Sequence, residues 1–155
     1  MIADLIKISL DLIKDGKDDG KVKQAFLERL HREFRYNREI LGELRKAKDK
    51  KTSAAFIGLL KTDISRFLDE SMLSFKWFIR DVPIDIHDIT KTWGEKNIAN
   101  YRKWSQNIDT LPHLIERIYT RIEITKSLAA IGRIKNRSSA GYIEFLISVA
   151  QEQGY

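Results

Sequence analysis

The sequence predicts an all-α fold: a single-domain up-and-down bundle over residues 1–155, with about four to six helices, three or four of them long. Three observations predict it. Apolar residues recur every third or fourth position along nearly the whole chain, the spacing that lines one helical face. The chain holds only 8 Gly and 2 Pro, too few for a turn-rich β architecture. No stretch alternates apolar and polar residues for strand length; Ile84-Asp85-Ile86 does so too briefly, beside Pro83.

The elements follow in chain order. The N-terminal segment MIADLIKISLDLIK places Ile2, Leu5, Ile6 and Ile13 on one face, as a short core helix would, or alternatively a helix lying on a lipid surface, where Asp4 and Asp11 would oppose anionic lipid. Gly16 and Gly20, with Asp15, Asp18 and Asp19, then mark a turn. From Lys21 to Lys48 the residues Phe26, Leu30, Phe34, Asn37, Leu41 and Leu44 form one stripe, widened by Leu27 and Ile40, and predict a helix of about seven turns. A third helix is expected to start at a Thr52–Ser53 cap. Its stripe runs through Ile57, Leu60, Ile64, Phe67, Leu68, Met72, Phe75 and Phe78 to Val82, where Pro83 ends it.

A short segment from Asp85 to Trp93 ends at Gly94. A helix-compatible one from Glu95 to Asn107 spaces Ile98, Tyr101 and Trp104 by three. Thr110 caps the next helix, since Pro112 is tolerated in a first turn. Its inner face is Leu111, Leu114, Ile115, Ile118, Ile122 and Ala129, and Gly132 stops it. Arg133 to Arg137 reads as a loop. Ser138 or Ser139 caps a last helix with Ile143, Leu146, Ile147 and Ala150 inward, and the final Gln-Gly-Tyr is expected to fray.

The chain has 155 residues, 43% hydrophobic and 32% charged, the composition of a globular domain with a substantial core. It contains no Cys, which excludes disulfides, Cys-ligated zinc, iron–sulfur clusters and thiol catalysis. No run is apolar enough to cross a membrane, and no signal-peptide pattern occurs, so a cytoplasmic protein is expected. No Gly-rich phosphate loop is present. The nearest calcium-loop register, from Asp15, puts Lys17 at a ligand position and Phe26 where the bidentate Glu belongs. His31, His87 and His113 fall in no paired metal spacing, so no cofactor or metal is expected.

Two features carry functional expectations. The first is charge. There are 28 Lys and Arg against 22 Asp and Glu, a net +6. Arg117 and Arg121 lie one turn apart, and no acidic residue occurs from Ile124 to Ile143, which holds Lys126, Arg133, Lys135 and Arg137. Like charges at i,i+4 cost a few tenths of a kcal/mol, so the ridge of Arg117, Arg121, Lys126, Arg133, Lys135 and Arg137 is a candidate surface for an anion or nucleic acid. Trp104, beside Arg102 and Lys103, can stack on bases, whereas Trp77 and Trp93 are expected to pack. Arg29, Arg32, Arg35 and Arg38, interleaved with Glu28, Glu33 and Glu39, read as a salt-bridged surface. Residues 63–88 are acid-rich, which can complement the basic ends between copies of the chain.

The second feature is Arg80-Asp81 followed by His87. It resembles the catalytic motif of HEPN-type ribonucleases, all-α proteins that usually act as dimers. Here the gap holds six residues and includes Pro83. The resemblance implies a metal-independent ribonuclease in which Arg80 stabilises phosphorane charge and His87 acts as general acid or base. The leading expectation is instead a non-catalytic binding or adaptor module. It would act on a protein partner, on its own copies as a homo-oligomer, or on nucleic acid.

Overall fold

A computed structural model describes residues 19–134 and 137–155. The expectations for the N-terminal segment, including the Gly16 turn, and for Lys135 lie outside the described residues. The chain is all-α. Seven α-helices are described, and no strand is found among these residues; a single bridge pairs Pro83 with Thr110.

Helix α1 (Asp19–Lys46) takes in the predicted stripe. Phe26, Leu30, Phe34, Asn37, Leu41 and Leu44 are all buried, with Leu27 and Ile40 half-buried at the margin. Gly20 falls inside its first turn rather than before it. α6 (Leu111–Ala130) starts as expected, the Thr110 hydroxyl accepting from His113 N–H at 3.3 Å. It ends at Gly132, whose φ of +79° suits glycine. α7 (Arg137–Glu152) begins a residue before the expected Ser cap. It is buried on more than one side, adding Ala140, Tyr142, Phe145 and Val149 to the predicted inner face, because it packs against both α1 and α6. One buried cluster runs from Val22 to Ala150.

The predicted third helix is two helices. α2 (Lys50–Leu59) and α3 (Asp63–Ser71) are separated at Leu60–Thr62. That split adds one helix to those the sequence predicts, while the short helices described below fall within the segments Asp85 to Trp93 and Glu95 to Asn107. The break has a polar cause. Buried Asn37 donates from Nδ2 to the Lys61 carbonyl at 2.8 Å and accepts from Lys61 N–H at 2.7 Å. A backbone unit satisfied by a side chain of α1 has no need of a helical ladder. The cap of α2 is Asp49 rather than Thr52. Its carboxylate accepts from the Thr52 N–H at 2.8 Å and hydroxyl at 2.9 Å, bonds that hold it below its ordinary pKa.

α3 ends at Met72 in left-handed geometry, and only a 3₁₀ turn, Phe75–Trp77, follows. Two short helices, α4 (Ile86–Ile89) and α5 (Ile98–Trp104), complete the chain between Pro83 and α6. They are tied together by Arg102, which donates from Nε to the Thr90 hydroxyl at 3.0 Å and also bonds the Thr90 carbonyl.

The C-terminal residues are anchored rather than frayed. Tyr155 N–H donates to the Ala150 carbonyl and Gly154 N–H to that of Gln151, both at 3.0 Å, with Gly154 at φ +96°. This pair of bonds is a Schellman closure. Arg80 then holds the turn, donating to the Gln153 carbonyl at 2.9 Å and to the Tyr155 hydroxyl at 3.4 Å.

Candidate functional site

The charged residues singled out in the sequence divide into three environments. Arg117 and Arg121, four apart on α6, share the side that faces α5 and the start of α7. Arg117 donates to the Trp104 carbonyl at 3.4 Å and to the Asn107 side-chain oxygen at 3.1 Å. The Arg121 guanidinium lies over the Tyr142 ring, 5.2 Å from its centroid. Both cations are thus positioned by neutral partners: carbonyls at one, a ring face at the other. Among the described residues no ion pair involves either, so their charge is uncompensated.

Lys126 is turned away from this pair by the helical repeat, about 140° around the axis from Arg121. It donates to the Leu60 carbonyl at the C-terminal end of α2, where a cation also meets the favourable end of the helix dipole. Lys126 is therefore a structural cap and not part of the basic face. Arg133 is exposed beyond the end of α6. Arg137 opens α7, and nothing of its side chain is described.

Arg121 borders a groove of about 230 Å³, and Arg117, one turn earlier on α6, bonds the carbonyl of Trp104, which also lines it. Its lining includes Trp104 of α5, Ile124 and Leu128 of α6, and Tyr142 and Ile143 of α7. Ile124 is 44% exposed and Trp104 40% exposed. The aromatic side is well fixed. Trp104 meets Tyr142 edge-on at 5.3 Å and Tyr101 at 5.8 Å, while the Tyr142 hydroxyl is hydrogen-bonded to the Ser105 hydroxyl at 2.9 Å. Gly141 makes this close packing possible, since a Cβ there would lie 2.3 Å from the Tyr101 hydroxyl. Sequence reasoning found Trp104, Arg117 and Arg121 but missed Tyr142, Ile124 and Leu128. Ile124 and Leu128, at three and seven residues past Arg121, carry a usable signal, because that spacing continues the same side of the helix.

The other two tryptophans divide. Trp93 packs edge-on against Phe145 at 5.8 Å, as expected, whereas Trp77 is nearly half exposed.

Arg80 and His87 occupy separate settings. Arg80 is engaged with Gln153 and Tyr155, and exposed His87 sits in the single turn of α4. Among the described residues no hydrogen bond or ion pair joins them. Nor do the described residues contain any group of three or more His, Asp or Glu able to hold a metal.

One interleaved acid of α1 is not at the surface at all. Glu33 is 2% exposed; its Oε1 accepts from the Tyr119 hydroxyl at 2.9 Å and from Ile64 N–H at 3.3 Å, and its Oε2 has no hydrogen-bond partner. Burial raises its pKa, and those two hydrogen bonds oppose the rise. Burial and the neighbouring Glu33 charge raise that of Tyr119. The Thr62 side chain makes no capping bond at the start of α3, so Glu33 supplies the missing acceptor from another helix. Arg29 pairs with Asp63 at 2.9 Å and Arg38 bonds Gln151, so this stretch of α1 serves cross-helix contacts rather than a local ladder.

Comparison with known protein families, curated proteins and solved structures returned no match to this chain.

Proposed function

We propose that the protein is a non-catalytic binding module whose groove between α5, α6 and α7 receives an anionic partner. The observation that carries this reading is the uncompensated pair Arg117 and Arg121 beside half-exposed Trp104 and Ile124. Two cations of like sign on one helical side are mildly unfavourable unless an anion approaches. An exposed aromatic and aliphatic lining is unfavourable until covered. One ligand with negative charge next to an apolar or aromatic group answers both costs. Nucleic acid meets that description. So does an acidic protein, including the acidic side of a second copy, where Asp69, Glu116 and Glu123 line another depression. None of the helices is long and apolar enough, among the described residues, to cross a membrane.

Retention on a polyanionic resin tests the reading. Arg117→Gln/Arg121→Gln is compared with Lys21→Gln/Lys23→Gln, which removes the same charge at exposed positions in the first turns of α1, the end opposite to the one that Arg45 joins to α7. The groove variant is expected to elute at clearly lower salt than the control. Equal elution of the two variants would mean that net charge alone governs binding, and would overturn the reading.

A further inference from the structure

We infer that the occupant of the groove is single-stranded nucleic acid, with a base stacked at Trp104 and the adjoining phosphates on Arg117 and Arg121. This inference rests on the binding-module reading and specifies its ligand.

The groove offers planar surfaces more than it offers carboxylate clamps. The Arg121 guanidinium is laid over the Tyr142 ring, and Trp104 stands edge-on to that same ring. A guanidinium so placed supplies charge and a flat face together. The half-exposed Trp104 indole in the groove lining supplies a second flat face. Stacking platforms interleaved with cations suit a chain of alternating rings and phosphates, and they tolerate any base because every base has a π-face. Duplex nucleic acid keeps its bases stacked on one another, so ring insertion requires a single strand or a splayed loop. An acidic peptide brings the charge but no ring for Trp104. The size agrees as well: about 230 Å³ has room for one heterocycle and not for a folded element. Arg133, exposed past the end of α6, adds a further positive charge at the end of the helix that carries Ile124 and Leu128.

The test measures the anisotropy of fluorescein-labelled U12 RNA, with poly-L-glutamate as a charged chain lacking bases. Wild type is expected to bind U12, with affinity that falls as salt rises. Arg117→Gln/Arg121→Gln should lower the slope of log affinity against log salt by about 0.7 per phosphate contact removed. Trp104→Leu should weaken binding roughly five- to hundredfold, the range for loss of one stacked base. Trp104→Phe, which keeps a ring, should restore most of it. Ile124→Glu, at an exposed position, should weaken binding without touching the core. Binding of U12 that survives Trp104→Leu and Ile124→Glu unchanged would overturn the inference. Binding of poly-L-glutamate without U12 would overturn the nucleic-acid assignment while leaving the anion groove standing. Binding of neither would overturn both.

Discussion

Glu33 and Asn37 show how single side chains set this structure against the grain of local pattern. Both fall in register with the apolar stripe of α1, at three and seven residues past Leu30, and both are buried. That register is the signal that Glu33 lies inward, and the flanking arginines obscure it. The partners of the two residues cannot be read locally: Tyr119 lies 86 positions from Glu33, and Lys61 lies 24 from Asn37.

Glu33 makes stability pH-dependent. Burial raises its pKa, so the folded chain keeps the proton to higher pH than the unfolded chain does. The stability this contributes is complete below the unfolded value near 4.5 and is lost as pH rises through the folded one. Glu33→Gln retains an oxygen for Tyr119 and Ile64 and carries no charge. Urea midpoints measured across this range should therefore show wild type losing stability relative to E33Q as the pH rises; a pH-independent difference would contradict the assignment. Asn37→Leu should cost about 1–3 kcal/mol, because it strands the N–H and carbonyl of Lys61. A variant as stable as wild type in urea would show that those bonds do not matter.

Among the elements, α1, α6 and α7 were legible because long stripes of constant spacing leave one solution. The α2–α3 region was not. Its apolar residues keep a helical period through a break imposed by Asn37 and by Glu33 capping, both contributed by α1. Met72 marks the other end of α3. It has φ +57° and is 93% exposed, so its side chain adds strain and little burial. Met72→Gly should raise stability by about 1 kcal/mol, read as a higher urea midpoint. Gly141 has the opposite sign. Gly141→Ala places a methyl against the hydroxyl of buried Tyr101 and should cost about 1–3 kcal/mol despite the better helix propensity of Ala, as calorimetry would show. The same variant should loosen the aromatic wall of the groove, since Tyr101 stacks on Tyr142 at 5.8 Å.

At the scale of the molecule, the two sides of α6 differ in charge. Arg121 lines the groove with Arg117 one turn before it, while Glu116 and Glu123 line the depression shared with α3, where Ser65 bonds Glu123 at 2.8 Å. A net charge of +6 favours the approach of a polyanion, and under the proposed function this arrangement sets where it would dock. The candidate site was half legible. Charge without local acid pointed to α6, but the groove needs Tyr142, which tertiary packing alone brings beneath Arg121.

The most direct measurement isolates Trp104, one of three tryptophans in the chain. In a Trp77→Phe/Trp93→Phe background its emission reports on the groove alone. Titration with U12 at low salt should quench that emission to saturation, and added salt should restore it. Emission that stays flat while anisotropy shows U12 bound would place the nucleic acid elsewhere on the surface and contradict the account.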